Sequence, residues 1–82
     1  MSRTLQSPRH RALAALLIEK RKKAGLTQTA VAQMLGRHQS FVATVESGQR
    51  RIDVIELIEF ASAIGFDAAA AIRQLLRTDA NT

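Results

Sequence analysis

The sequence predicts an all-α fold of five helices. Three observations predict it. Leu, Ile, Val and Ala supply most of the 46% hydrophobic content while aromatics are only 4%, a composition that favours helix over strand. Ser7, Thr27, Asp53 and Asp67 each stand just before a run with apolar residues at three- and four-residue spacing, the pattern of a capped amphipathic helix. Gly25, Gly36, Gly48 and Gly65 fall where runs of this kind stop, as C-terminal helix signals do. The 82 residues suffice for one domain and not two.

The first helix opens on Ser7-Pro8, an N-cap followed by proline at the first helical position. It runs to about Ala24, with Leu13, Ala14, Leu17, Ile18 and Ala24 as its apolar stripe. Lys20-Arg21-Lys22-Lys23 sits at its negative dipole end. Thr27 caps a second helix over 28–35, whose buried face is Val31, Ala32 and Leu35. Gly36 supplies a positive-φ turn. The third helix spans 39–47, with Val42, Val45 and Glu46 on one side. Its other side, Gln39, Ser40, Ala43, Thr44 and Ser47, is short-chained and uncharged. Gln49-Arg50-Arg51 is an exposed basic loop.

Asp53 caps a fourth helix to about Ile64. Val54, Leu57, Ile58, Ala61 and Ile64 form its core stripe, and Ile55 and Phe60 make it apolar over more than one face. Asp67 caps a fifth helix over 68–76, with Ala68, Ala69, Ile72, Leu75 and Leu76 apolar. Residues 1–6 are expected to be a flexible arm and 77–82 a flexible tail, with the domain between them over 7–76. The second and third helices are each too short to stand alone, since isolated helices below roughly 12–15 residues are marginal in water. The rest of the chain therefore serves to hold this pair.

Charge and composition narrow the function classes. Residues 1–51 carry ten of the twelve Lys/Arg against Glu19 and Glu46, a balance of +8, and residues 52–82 carry two Arg against five acids, −3. A basic segment of this strength fits a polyanionic partner, most often nucleic acid; a merely solubilising surface would look the same. There is no cysteine, which excludes disulfides and thiolate metal sites. His10 and His38 lack neighbouring ligands, so no metal site and no cofactor is expected. No apolar run approaches membrane-spanning length, so a cytoplasmic protein without membrane contact is expected. No acid–base pair, nucleophile motif or phosphate loop marks an enzyme.

One group of residues goes further. Arg21 four before Gly25, Leu26-Thr27-Gln28, Ala32 four before Gly36, Gln39-Ser40-Phe41-Val42, Glu46, Gly48 and the closing Ala61 and Ile64-Gly65 together resemble the Cro/lambda-repressor-like (XRE-type) helix-turn-helix family, from about Leu13 to Phe66. The resemblance implies a compact, lambda-repressor-like five-helix bundle whose third helix enters the DNA major groove. It implies base readout by Gln39, Ser40, Ala43 and Thr44. Gln can pair bidentately with adenine, and Ser, Thr and Ala can meet thymine. It implies a phosphate contact from Gln28, and the loop position of Arg50 and Arg51 fits the same role. Arg21 and Glu46 match a structural ion pair. Phe41 is expected either against sugar or a thymine methyl, or partly buried beside Val42.

The sequence departs from that pattern in three places. Ala30 stands where many members have Glu, so no capping box closes on Thr27. Arg37 and His38 replace an apolar residue and a Ser or Thr cap; they are expected to add phosphate contacts and to cap the third helix less well. One recognition helix reads only a few base pairs, so a homodimer on a palindromic operator is expected, pairing through Ile55, Ile58, Phe60, Ile72, Leu75 and Leu76. The reading is a small transcriptional regulator of the controller type that acts on its own promoter. An antitoxin, or a protein-interaction module without DNA binding, are the alternatives.

Overall fold

The computed structural model describes residues 7–78. They form five helices and, among the described residues, no strand: α1 Pro8–Lys23, α2 Gln28–Leu35, α3 Gln39–Glu46, α4 Val54–Ile64 and α5 Ala68–Leu76. The expectations for residues 1–6 and 79–82 lie outside the described residues.

Four of the five helix starts are made by side chains. Ser7 Oγ accepts from the His10 amide at 3.1 Å, and Pro8 follows in the first turn. Thr27 Oγ1 accepts from the Ala30 amide at 3.0 Å. Asp67 accepts from Ala69 and Ala70 at 2.9 and 3.2 Å. Asp53 and Glu56 close a full capping box: the Glu56 amide donates to Asp53 at 2.7 Å and the Asp53 amide donates to Glu56 at 2.9 Å. α3 is the exception. His38 makes no side-chain cap bond to it, in keeping with its residue type. An uncapped helix of eight residues cannot hold itself, so tertiary contacts must fix it.

Gly36 makes the turn that delivers α3. Its φ of 68° closes α2 in the left-handed region, where a Cβ is strained. The chain then reverses within Arg37 and His38, and α2 and α3 pack on each other. α4 covers α2, and α1 lies against α3, α4 and α5. The core joins Leu16, Leu17, Val31, Ala32, Val42, Val45, Leu57, Phe60 and Ala71. Arg9 reaches from α1 to the carbonyls of Leu75 and Leu76 at 3.1 and 3.3 Å, satisfying the end of α5.

The core differs from the sequence stripe in several places. Phe60, expected at a dimer surface, is 1% exposed and sits at the centre of the core. It lies on the face of α4 shared with Leu57 and Ala61, so it is corrected to a packing residue. That face leaves Val54 and Ile58 outside the stripe, 62% and 50% exposed. Ala24 and Ala69 are likewise exposed, whereas His10, Leu16 and Ala71 are buried. The reason for α1 is that it meets three helices and buries more than one stripe.

A buried Phe truncated to Ala costs about 3–5 kcal/mol. Phe60→Ala is expected to lose that much in urea unfolding; a loss below about 1 kcal/mol would be incompatible with its core position.

Candidate nucleic-acid interface

The exposed side of α3 is made of small polar groups. Gln39 and Ser40 are exposed and Ala43 and Thr44 half-buried, while Val42, Val45 and Glu46 face inward. The sequence placed these residues on the same two faces. Thr44 Oγ1 lies 2.9 Å from the carbonyls of both Ser40 and Phe41. Its proton is therefore engaged within the helix, leaving its methyl and oxygen lone pairs for a partner. Ser47, at the C-cap, donates to the Thr44 carbonyl at 3.0 Å.

A buried ion pair sets the height and rotation of this face. Arg21 Nε and Nη2 donate to the two Glu46 oxygens at 2.6 and 3.0 Å, with side-chain exposures of 12% and 5%. The third guanidinium nitrogen, Nη1, donates to the Leu26 carbonyl at 2.8 Å. Arg21 thus ties α1 at once to the entry of α2 and to the end of α3. The hydrogen bond to Glu46 also raises its pKa.

The network continues to the surface. Gln28 Nε2 donates to Glu46 Oε1 at 2.9 Å, and Gln28 Oε1 accepts from Gln39 Nε2 at 2.7 Å. Gln39 keeps its carbonyl oxygen and one N–H outside this chain, the donor–acceptor pair that matches an adenine edge. Gln28 keeps one N–H, a donor suited to a phosphate oxygen.

A second cluster lies beside the first turn of α3. Arg37 and Arg50 place their guanidinium carbons 3.7 and 4.7 Å from the Phe41 ring centroid. Phe41 is half-buried and packs against Phe60, with centroids 6.0 Å apart. Both arginines reach Glu56: Arg37 at 3.5 Å, and Arg50 through two nitrogens at 3.3 and 3.2 Å. Arg50 also donates to the Arg51 carbonyl at 2.7 Å. His38 and Arg51 are exposed on the turns flanking α3. The Glu56 carboxyl is held below the usual carboxylate range, first by the Asp53 amide and then by Arg50, against a smaller opposing effect of burial.

Sequence reasoning did not find two of these features. Glu56 was legible in principle, because Asp53 and Glu56 have the spacing of a capping box; its hold on Arg37 and Arg50 was not. His10 is 6% exposed and donates from Nε2 to the Gly48 carbonyl at 3.0 Å. It pins the end of α3 to the start of α1, and no local pattern announces a contact across 38 positions. Of the residues expected at a dimer surface, Ile55, Ile58, Ile72 and Leu76 are exposed at 63%, 50%, 38% and 63%. Leu75 is half-buried. Among the described residues there is no cluster of His, Asp and Glu that could hold a metal ion.

Residues 17–69 match a family model described as helix-turn-helix, HTH_3. Several solved structures share the fold. An XRE-family like protein from Pseudomonas syringae pv. tomato is 44% identical, with 92% of each chain covered and a TM-score of 0.82. The restriction-modification controller protein C.AhdI from Aeromonas hydrophila is 27% identical over 76% of this chain and 94% of its own, with a TM-score of 0.70. The clp gene regulator ClgR from C. glutamicum, at 20% identity and TM-score 0.75 over 83% of this chain and 88% of its own, shares the fold alone. No curated protein matches the chain.

The Glu56 shift has a consequence for acid stability. Its folded pKa is depressed, so its contribution is complete above the ordinary glutamate value of about 4.3 and is lost as pH falls through the lower folded value. Replacing Glu56 by Gln should flatten the acid limb of a stability-versus-pH curve in that window; an identical limb would show that Glu56 contributes nothing there.

Proposed function

The chain belongs to the helix-turn-helix family of XRE-type DNA-binding transcription regulators, and we propose that it acts as a homodimer on a palindromic operator, reading bases with α3. The observation that carries this reading is the hydrogen-bond chain Arg21–Glu46–Gln28–Gln39. It presents a pre-oriented amide on an exposed helix face, and orienting the readout group before contact lowers the entropy lost on binding. Gln39, Ser40, Ala43 and Thr44 are the proposed base-reading set. Gln28, Arg37, His38, Arg50 and Arg51 are proposed to grip phosphates on either side, where they would fix register without reading sequence.

The homodimer is supported by large apolar side chains left in water. Ile55 and Ile58 on α4, and Ile72 and Leu76 on α5, are exposed, and each costs free energy in solution that a partner surface would recover. Leu75 is half-buried, and Phe60 does not belong to the set. Two-fold pairing would put the two α3 helices on half-sites about 34 Å apart. Control of its own promoter is proposed on the likeness to a controller protein. No helix among the described residues is long and apolar enough to cross a membrane; a cytoplasmic, non-enzymatic regulator is proposed on the family alone.

Selection of bound duplexes from a random library tests the readout. Gln39→Ala is expected to lose roughly 1–3 kcal/mol of affinity and to relax base preference at one position of each half-site. Enrichment of an unchanged motif would remove Gln39 from the reading set.

A further inference from the structure

α4 begins with a carboxylate that serves two structures. Glu56 Oε1 accepts from the Asp53 amide at 2.9 Å, completing the helix cap. The same carboxylate takes Arg50 in a two-pronged contact at 3.3 and 3.2 Å and lies 3.5 Å from Arg37. Phe41 supports both guanidinium groups from below the first turn of α3, at 3.7 and 4.7 Å. The two arginine side chains are each 40% exposed and Glu56 is 16% exposed. The cluster is therefore open to a partner at its arginine side and closed at its carboxylate side.

The charge balance matters here. Two cations beside α3 share one anion, so an approaching phosphate meets a net charge of +1 rather than +2. The fork that Arg50 offers to Glu56 is also the one that fits a phosphate bidentately. Carboxylate and phosphate cannot both fill it.

We propose that Glu56 is an internal counter-ion, a positioning residue that holds Arg37 and Arg50 against Phe41 in the free protein and yields them to a DNA phosphate on binding. The inference rests on the phosphate role given to these two arginines above. Its effect is on specificity. Displacing Glu56 requires free energy. A duplex that also engages the bases through α3 supplies it, and a duplex of arbitrary sequence, bound through phosphates alone, does not. Glu56 thus lowers binding to arbitrary DNA more than binding to the operator.

The test is fluorescence anisotropy of the full chain on a labelled duplex of random sequence, across a salt series. Glu56→Gln removes the charge and keeps an acceptor for the cap, since Gln also closes capping boxes. It is expected to bind roughly five- to tenfold tighter near 0.1 M salt. Its log–log salt slope should steepen by about 0.9 per bound protomer, the increment for one charge on B-DNA. A purely structural role for Glu56 would not move that slope. Equal or weaker affinity with an unchanged slope overturns the proposal. In an Arg37→Gln/Arg50→Gln background the gain should vanish, and a gain that persists also overturns it. If the wild-type chain binds no duplex at any salt, the DNA-binding reading fails first and this inference with it. Should Glu56→Gln not fold, the Arg50 Nε–H resonance of the wild type decides. It must shift on adding a duplex that the wild-type chain enriches from the random library, and a resonance that stays in place there counts against release of the arginine.

Discussion

The buried pair of Arg21 and Glu46 is the constraint on which the rest of this structure depends. α3 is eight residues long and has no side-chain cap. Its apolar contacts through Val42 and Val45 hold it against the core but would tolerate some rotation about its axis. The fork of Arg21 on both oxygens of Glu46 does not, because two parallel hydrogen bonds fix orientation as well as distance. Arg21 Nη1 donates in addition to the Leu26 carbonyl, so the helix entry and the helix end are referred to one guanidinium. The surface amides of Gln28 and Gln39 inherit that reference.

Two glutamates in this chain do opposite work. Glu46 is buried at 5% side-chain exposure and bonded on both oxygens. Taking it out of water is costly, and the return is a fixed geometry more than stability. Glu56 stands at the rim, with partners that are themselves 40% exposed, where an ion pair contributes little to stability and can exchange. One carboxylate therefore fixes the exposed face of α3 proposed to read bases, and the other is proposed to set how readily the flanking cations engage a phosphate. The hydrophobic core supplies the scaffold for both. Phe60 illustrates the link: it packs in the core and against Phe41, whose ring in turn carries Arg37 and Arg50.

Much of this was legible along the chain, for identifiable reasons. Ser7, Thr27, Asp53 and Asp67 are local signals acting on amides two or three residues away, so helix starts could be read directly. The inward set of α3, Val42, Val45 and Glu46, followed from helical spacing. The Arg21–Glu46 pair was reached through family resemblance, since no periodicity joins positions 25 apart. What was not legible depends on tertiary placement. Phe60 and Ile58 are both apolar and only two positions apart on α4, and which one turns inward is decided by where α2 and α1 lie. The same holds for Leu16 and Ala71, and for His10 beneath Gly48. The sharing of Glu56 between Arg37 and Arg50 needs the α2–α3 turn, the loop after α3 and the start of α4 to meet at one point.

The buried pair is proposed to orient the face of α3 assigned above to base readout. Removing one partner strands a charge and destabilises the fold, so the direct test replaces both. An Arg21→Met/Glu46→Leu variant of similar volume is expected to keep its helix content and cooperative unfolding, as paired apolar replacements often do. In a selection from random duplexes it should still bind DNA yet lose base preference at the position proposed for Gln39. A folded double variant that enriches the same sequences as the wild type, with the same preference at every position, would contradict the account.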